Sequence, residues 1–400
     1  MKKYLLYLLF STTVFTACKT LKQTSTASTE SAGTLVEAKT DSLKLISIKD
    51  SLLLTTMPKV QDTVYLSVSP INIDSIAIIG VGDVMIGTNF PNTGYLPPDS
   101  GRYMLAGVKD ILIDADLTFA NQEGVILNKG GIQKQCSNPD LCYIFRSPEY
   151  LAQHYVAAGI DMMSLANNHA GDFGDEGRKN TMRTLDSLGI KHAGQLAQPF
   201  TIFTKSRVTY GFVAFSPNTG TQSINDLDAA IGIIKHLDSL VDITIVSFHG
   251  GAEGSKYEHV TREREFFYGE NRGNVYDFSH SLIDAGADLI FGHGPHVSRA
   301  IEVYKNKFIA YSLGNFATYG RFNLRGVNGL APIAKIYVNA DGDFLSGKII
   351  SAKQVGGGIP ELDPQHAAAQ KIKELTEIDF PESKISIDPQ GNIRYLHKHK

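Results

Sequence analysis

Two hydrophobic patterns alternate along the chain after residue 75. Short apolar runs closed by glycine or polar residues predict buried strands, and apolar residues spaced three and four apart predict helices. The predicted strands begin with the apolar run 76–81 and continue at 117–120, 162–165, 208–215, 243–248, 288–291, 308–313 and 332–338. The predicted helices cover 105–113, 148–158, 176–188, 226–240 and 276–285. Strands that alternate with helices indicate an α/β fold.

The first residues follow a different pattern. A basic start at residues 1–3 precedes an apolar stretch at 4–15 and then Cys18, and this order predicts a secretion signal. The Phe-Thr-Ala tripeptide before Cys18 resembles a bacterial lipobox. We therefore expect a signal peptide over 1–17, a lipid on Cys18, and a location in the cell envelope on the extracytoplasmic side. The alternative is a plain cleaved signal peptide, because the same three features fit either fate.

Composition changes again between the signal and the first predicted strand. Residues 18–74 are rich in Ser, Thr, Lys and Leu and predict a flexible tether, although a short amphipathic helix or strand packed on the domain is the alternative. The folded domain is expected to cover 75–352. Residues 353–400 contain glycines, prolines and a basic end, so we expect a tail that wraps around the domain or frays.

Overall charge and hydrophobicity exclude several classes of protein. With 42% hydrophobic and 20% charged residues the chain is globular, and its net charge of −3 gives no electrostatic basis for nucleic-acid binding. No apolar run after the signal approaches the roughly 20 residues needed to span a bilayer. If Cys18 carries lipid, Cys136 and Cys142 remain, and an oxidising compartment favours a disulfide between them. Metal binding is the weaker alternative, because no second cysteine pair lies nearby.

Short polar clusters follow five of the predicted strands. In open α/β sheets ligands bind outside the carboxyl ends of the strands, so these clusters are expected to meet at one site. Together they offer carboxylates, an amide and imidazoles, a mixture that suits manganese, zinc or iron. Such an ion activates water for hydrolysis. The clusters are Gly82-Asp83, Asn121-Gln122-Glu123, Asn167-Asn168-His169, His249-Gly250 and Gly292-His293-Gly294-Pro295-His296.

The order of short motifs between about residues 76 and 320 resembles that of the CapA family of capsule (poly-γ-glutamate) synthesis proteins. The motifs are GDVMIG, ANQEGV, SLANNHAGDFG, SFHGGAE, FGHGPHV and YSLGNF. That family is similar in turn to the calcineurin-like metallophosphoesterases. The resemblance implies a four-layer αββα metallophosphatase-like sandwich that holds metal between its sheets.

Residue roles follow from this resemblance. It implies that His169 donates a proton to the leaving group or steadies the transferred group, and that Asn315 reaches the substrate. Asp172 either orients His169 or caps a helix, and Glu253 and Arg321 either bind charged substrate groups or are solvated surface residues. The implied metal ligands are Asp83, Glu123, Asn168, His249, His293 and His296.

One departure from the metallophosphoesterase pattern concerns the number of ions. The histidine that those enzymes place two residues after the first aspartate is Met85 here, so the site is expected to hold one or two divalent transition-metal ions. The resemblance implies a hydrolase or transferase acting on a surface polymer such as poly-γ-glutamate, together with other capsule export components. A non-catalytic export scaffold and a periplasmic phosphoesterase are the alternatives.

Overall fold

The computed structural model describes residues 75–136 and 142–396. The predicted signal peptide, the tether and Cys18 lie outside these ranges. Among the described residues, every helix is too short or too polar to cross a lipid bilayer.

The strands and helices alternate through most of the described chain. The strands are β1 (Ile76–Met85), β2 (Leu117–Gln122), β3 (Val125–Ile126), β4 (Arg146–Ser147), β5 (Met162–Ser164), β6 (Lys191–Ala193), β7 (Phe200–Lys205), β8 (Val208–Phe215), β9 (Ile243–His249), β10 (Phe266–Phe267), β11 (Glu270–Asn271), β12 (Leu289–His293), β13 (Ile301–Tyr304), β14 (Lys307–Ala310), β15 (Asn315–Thr318), β16 (Leu330–Val338), β17 (Phe344–Val355), β18 (Ile359–Leu362), β19 (Ile385–Ile387) and β20 (Asn392–Tyr395). The helices are α1 (Lys109–Leu112), α2 (Gln153–Ala157), α3 (Gly174–Ser187), α4 (Leu227–Asp238), α5 (Val275–Asp284) and α6 (Ala367–Asp379).

Two large sheets organise the described residues. The first has ten strands, with the order β19-β20-β17-β16-β1-β2-β5-β6, and with β15 paired to β1 and β18 paired to β17. The second has six strands in the order β13-β14-β12-β9-β8-β7. The central pairs β1–β2, β2–β5, β8–β9 and β9–β12 are parallel, so their carboxyl ends lie at the same edge of each sheet.

Alternating residues of each central strand enter different hydrophobic cores, as a side-chain period of two requires. In β1, Ile78 belongs to the core between the two sheets and Ile79 to the core on the outer face. In β12, Phe291 belongs to the same inner core and Ile290 to the outer core of the second sheet. The Phe119 ring stacks on Phe291 with centroids 5.3 Å apart, so aromatic contacts join the two sheets.

Helices cover the outer faces of both sheets. Leu112 of α1, Tyr155 of α2 and Leu185 of α3 are fully buried against the ten-stranded sheet. Ile234 of α4 and Leu282 of α5 are fully buried against the six-stranded sheet. The layers are therefore helix, sheet, sheet and helix, which confirms the expected αββα sandwich.

Four aspartates each lie immediately before a parallel strand, and each forms two hydrogen bonds with the neighbouring parallel strand. Each one donates its backbone N–H to the carbonyl oxygen of the neighbour's second residue and accepts that residue's N–H on a carboxylate oxygen. These bonds hold the strand register at the amino ends of both sheets. The pairs are Asp116 with Ala77, Asp161 with Thr118, Asp242 with Thr209 and Asp288 with Thr244.

The carboxyl end of β1 changes its partner near Gly82. Before this point β1 pairs with β16, and from Asp83 onward it pairs with β15. A side chain at residue 82 would place its Cβ 2.1 Å from the carbonyl oxygen of Gly314, so only glycine allows this approach. The exchange brings Asp83 into register with Asn315.

The C-terminal segment differs from the expected tail. Strand β17 crosses the expected boundary at residue 352, β18 and β20 both pair with it, and β19 pairs with β20. Helix α6 buries Ile372 in the inner core and Leu375 in an outer core. Residues 353–396 therefore belong to the sandwich. The glycines at 356–358 that suggested a tail lie at the turn between β17 and β18.

Candidate metal and catalytic site

The polar clusters predicted at the strand ends meet at one edge of the sandwich. Asp83 lies near the end of β1, Glu123 follows β2, and His249 and His293 are the last residues of β9 and β12. His296 follows three residues after His293. One ligand atom each from Glu123, His249 and His296 lies within 4.8 Å of the others, so these residues can surround one ion.

Asp83 holds the two histidines of the GHGPH motif. Its Oδ1 lies 3.1 Å from Nδ1 of His293, and its Oδ2 lies 2.8 Å from Nδ1 of His296. The Asn121 amide donates to Asp83 Oδ1 at 2.7 Å and to Glu123 Oε2 at 3.0 Å. Asp83, Glu123 and His293 are fully buried, so carboxylates and imidazoles from both sheets form one network shielded from solvent.

Several buried polar atoms in this network have no hydrogen-bond partner among the residues that the structure describes. They are Glu123 Oε1, Asn168 Oδ1, both ring nitrogens of His249 and Nε2 of His293. Buried polar atoms are nearly always paired, because an unpaired one costs about 1–3 kcal/mol. Four of the six predicted metal ligands thus present unpaired atoms, as expected for side chains that coordinate an ion.

The electrostatics of the site also fit a cation. Burial and the nearby Asp83 raise the pKa of Glu123 well above its ordinary value. Burial also acts to raise the pKa of Asp83, but hydrogen bonds from His293 and His296 outweigh it and lower that pKa. Two buried carboxylates this close repel each other unless positive charge compensates them. A divalent ion would supply that charge, so the residues present fit a metal.

The surroundings of His249 and His296 shift the pKa values of their imidazoles in opposite directions. Burial lowers the pKa of His249 well below its ordinary value, and the charge of Arg272 lowers it further. Burial also acts to lower the pKa of His296, but the hydrogen bond and charge of Asp83 raise it to about 10. A neutral His249 presents the lone pair that a metal ligand needs.

The backbone of His296 adopts an unusual conformation. Its φ of 58° lies in the left-handed region, which non-glycine residues rarely occupy. The ring is held by Asp83 and lies 3.2 Å from Oδ1 of Asn315, measured from Nδ1. Strained residues of this kind cluster at functional sites, where neighbouring contacts hold them in place.

His169 forms a pair with Asp172 beside the predicted ligands. Its Nδ1 lies 2.8 Å from Asp172 Oδ2, and its Nε2 lies 3.9 Å from Glu123 Oε1. Asp172 also accepts the N–H of Phe145 at 2.7 Å and the ammonium of Lys134 at 2.9 Å. Burial lowers the pKa of His169, and Asp172 opposes that shift. The imidazole is therefore oriented with Nε2 toward the ligand cluster.

The structure decides between the two roles considered for Asp172. Helix α3 begins at Gly174 with Phe173 at its N-cap, and no side chain caps it. The carboxylate of Asp172 is fully buried and binds His169 instead. Asp172 therefore orients the imidazole, and the helix-capping alternative is wrong.

A cavity of about 1010 Å³ opens from this site. Asn168, His169, His296 and Asn315 line one part of it. Glu253 and Arg321, whose roles the sequence left open, also line the cavity. Glu253 forms an ion pair with Arg272 at 3.1 Å. Two of the predicted ligands, Asn168 and His296, thus share one substrate-sized space with His169.

Four residues that support the site were given no role from the sequence. Asn121 and Asn167 stand inside the recognised motifs, and the Asn167 amide donates to Asn121 Oδ1 at 3.2 Å. Their positions beside Glu123 and His169 were the available signal. Lys134 and Arg272 lie outside every motif and carried no signal.

Met85 offers the site no nitrogen or oxygen ligand. It is fully buried near the end of β1, where its backbone pairs with Thr318 of β15. Met85 therefore provides no substitute for the histidine that metallophosphoesterases have at this position.

A disulfide joins the two cysteines beside the cavity. Cys136 and Cys142 have Cα atoms 5.7 Å apart, and Cys136 lines the cavity wall. The bond links the two segments that carry Lys134 and Phe145, both of which contact Asp172.

We expect the double substitution Cys136→Ser with Cys142→Ser to lower the free energy of unfolding by about 2 kcal/mol, because closing so short a loop removes limited chain entropy from the unfolded state. Urea denaturation with and without reductant measures the change. Reductant should destabilise the parent protein and leave the double variant unaffected. Equal stability of the oxidised parent and the variant would contradict the prediction.

The sandwich fold and its carboxylate, amide and imidazole cluster together define a metallophosphatase-like protein. The particular family is the bacterial capsule synthesis protein PGA_cap, which matches residues 77–319, and the chain belongs to this family. The resemblance inferred from the motifs is confirmed.

Individual relatives are similar over part of their length. Capsule biosynthesis protein CapA of Bacillus anthracis is 26% identical over 264 residues, which cover 61% of this chain and 60% of that protein. PGA biosynthesis protein CapA of Bacillus subtilis (strain 168) is 32% identical over 171 residues, which cover 39% of this chain and 42% of that protein. The chain thus spans less than two thirds of the length of both relatives. The crystal structure of calcineurin-like phosphoesterase YfkN from Bacillus subtilis aligns with 77% of this chain and 98% of its own, with 12% identity and a TM-score of 0.40.

Proposed function

We propose that this protein is a metal-dependent hydrolase or transferase that acts on an anionic cell-surface polymer such as poly-γ-glutamate. The observation that carries the proposal is the group of buried, unpaired ligand atoms on Glu123, Asn168, His249 and His293, next to the oriented His169. A purely structural network has no reason to leave these atoms unpaired.

The ligand types support manganese, zinc or iron as the resident ion, held by Asp83, Glu123, Asn168, His249, His293 and His296. When bound, such an ion lowers the pKa of water and polarises a phosphoryl or carbonyl oxygen. Asn121 keeps the two carboxylates in place, because its amide donates to both. The buried network excludes bulk water from the ligands and fixes their orientation before substrate arrives.

His169 supplies proton transfer in this proposal. The Nδ1–H of His169 donates a hydrogen bond to Asp172. This leaves Nε2 as the atom that can take up and return a proton. Lys134 and the N–H of Phe145 occupy the oxygens of Asp172 and hold its carboxylate in position. Nε2 therefore faces the space where a leaving group would lie.

The substrate class rests on the family and on the cavity. Two curated relatives have names that refer to capsule or PGA biosynthesis. A cavity of about 1010 Å³ has room for a polymer segment, and cationic side chains line it. A γ-glutamyl amide or a phosphoester is the bond we expect to be cleaved or transferred. Other capsule export components are the expected partners.

The scaffold alternative is favoured by one observation, the buried Met85 in place of a ligand histidine. A protein that only holds polymer during export would bind it in the same cavity without turnover. A periplasmic phosphoesterase is the other alternative, and cleavage of small phosphoesters without any action on a polymer would indicate it.

Metal content and bond cleavage together test the proposal. The mature protein is purified without its predicted signal, its bound metals are quantified by mass spectrometry, and the loaded protein is assayed on phosphoesters and on γ-glutamyl amides. One or two equivalents of transition metal with turnover of either bond is expected. Protein that binds polymer without turnover under every metal would establish the scaffold alternative.

The proposed location depends on Cys18. We propose that the chain is cleaved before this residue and acylated there, with the folded part held on the extracytoplasmic face of a membrane. Cys18→Ala should move the protein from the membrane fraction to the soluble fraction after cell lysis. Cys136→Ala, which removes a different cysteine, serves as the control and should leave the distribution unchanged. Membrane association of both variants would contradict lipidation.

A further inference from the structure

More cationic than anionic side chains line the cavity wall. Lys134, Arg178, Arg272 and Arg321 line the cavity together with Glu253 and Glu270. Both glutamates pair with the same arginine, since Nη1 of Arg272 lies 3.1 Å from Glu253 and 3.0 Å from Glu270. Lys134 is committed to Asp172. Arg178 and Arg321 are therefore the cavity cations left without carboxylate partners in the described part of the chain.

Arg178 already uses much of its hydrogen-bonding capacity on the protein. Its Nη1 donates to Gln195 Oε1 and its Nη2 donates to the carbonyl oxygen of Thr219, both at 2.6 Å. A side chain at Gly171 would place its Cβ 2.4 Å from Nη2, so the guanidinium packs tightly against the backbone. This arginine contributes positive charge to the wall, but few of its donors remain for a ligand.

Two aromatic rings hold Arg321 in place, and no hydrogen bond to another described residue uses its donors. Its guanidinium lies over the ring of Tyr95 at 5.2 Å and over the ring of Tyr143 at 5.4 Å. Cation–π contacts of this kind fix the position of the side chain while leaving its N–H groups free in the plane of the guanidinium. Within residues 75–136 and 142–396, no carboxylate forms an ion pair with Arg321, and the two cavity glutamates pair with Arg272. A fixed guanidinium with free donors is suited to a bidentate anion.

The neighbouring residue connects Arg321 to the reacting groups. The Phe322 ring lies 6.1 Å from the His296 ring and stacks on Phe145 at 5.0 Å. Phe145 in turn contacts the ring of His169 at 4.4 Å. The segment that carries Arg321 therefore packs against the predicted metal ligand His296 and is connected to His169 through the ring of Phe145.

From these contacts we infer that Arg321 is a specificity-determining residue that binds an anionic group of the substrate other than the group that reacts. The inference rests on the proposed function, because it assigns a substrate charge to the same cavity. The anion is a carboxylate if the substrate is a γ-glutamyl chain and a phosphate if it is a phosphodiester polymer. Arg321 selects charged polymers over neutral ones and takes no part in bond cleavage.

The test compares two arginines of the same loop. Arg325 is exposed and lies outside the cavity wall, so Arg325→Gln removes an equal charge without touching the site. Binding is measured by fluorescence anisotropy on the metal-loaded protein with His169→Ala in the background, which prevents turnover. The probes are a labelled γ-glutamate oligomer, a glycerol-phosphate oligomer of similar charge, and the methyl ester of the first.

We expect Arg321→Gln to weaken binding of the preferred anionic oligomer by about tenfold to a hundredfold, as loss of a charge-assisted hydrogen bond implies. Arg325→Gln should change it less than about twofold, since exposed charges contribute little in physiological salt. Arg321→Lys should restore only part of the affinity, because lysine cannot bind an anion bidentately. The neutral ester should bind weakly and equally to both glutamine variants.

The outcome identifies the source of the anion and separates this inference from the proposed function. Sensitivity of the γ-glutamate oligomer alone to Arg321→Gln indicates a carboxylate, and sensitivity of the glycerol-phosphate oligomer alone indicates a phosphate. Equal effects of Arg321→Gln and Arg325→Gln on both oligomers, or no saturable binding of either oligomer, would overturn the inference. Arginine-dependent binding in a protein that shows no turnover under any metal would instead reject the hydrolase and leave the inference standing.

Discussion

His249→Ala and His293→Ala are each expected to weaken binding of the transition metal by at least about 100-fold and to abolish metal-dependent activity. Each substitution removes a ring with a buried nitrogen that has no hydrogen-bond partner among the described residues. Removal of even an indirect partner of a metal ligand typically costs about 10–100-fold in affinity, so loss of a direct ligand should cost more. Mass spectrometry of metal content after dialysis against a weak chelator measures the effect.

A second variant that preserves more side-chain volume is needed at both histidine positions. Both imidazoles are fully buried, and His293 packs on the ring of Phe119 with centroids 5.5 Å apart, so alanine leaves a cavity. His249→Asn and His293→Gln preserve more volume and should lose metal as well. His192→Ala removes a buried imidazole that pairs with Asp186, and it controls for destabilisation alone. Full metal occupancy in folded His249→Ala and His293→Ala would show that the ion is held elsewhere.

His169→Ala is expected to retain the metal and to lower kcat by about 10²–10⁴-fold, the usual contribution of general acid–base catalysis. Its Nδ1 is occupied by Asp172, and its Nε2 is 3.9 Å from Glu123, which places the ring beside the ligands and not among them. Metal content and the rate on the best substrate are measured on the same preparation.

Asp172→Asn gives a matched comparison for this role. An amide in place of the carboxylate keeps the shape but no longer favours the Nδ1–H form of His169, so kcat should fall while metal content stays at the parental level. Loss of metal in His169→Ala would make this histidine a ligand instead. Activity equal to the parent in His169→Ala, with metal bound, would remove the residue from the mechanism.

The sequence contained most of the information about the ligand cluster. Asp83, Glu123, His249 and His293 all lie at or near the ends of strands that hydrophobic runs had predicted. Parallel strands bring such positions to one edge of a sheet, so their convergence follows from local pattern and a general rule of α/β folds. The resemblance implied the role of His169, and the hydrogen bond from His169 to Asp172 was one of the two alternatives left open for Asp172.

Other parts of the site depend on contacts that local pattern does not record. Lys134 reaches Asp172 across 38 positions of sequence, and its segment carries no regular hydrophobic pattern. Arg272 is fully buried between Glu253 and Glu270, yet charged residues in a loop ordinarily predict exposure.

The error over the C-terminal segment has a different cause. Glycines at 356–358 suggested an end to regular structure, but they form a tight turn between two paired strands. Helix α6 begins with three alanines at 367–369. Such small residues give only a weak hydrophobic pattern. Tertiary packing, which a local pattern does not report, made this segment part of the sheet.

The four aspartates at the amino ends of the strands separate the alignment of the fold from its chemistry. Asp116, Asp161, Asp242 and Asp288 hold strand register at the edge opposite the predicted ligands. A change in the length or charge of the loops at the ligand edge is therefore expected to leave the scaffold underneath intact.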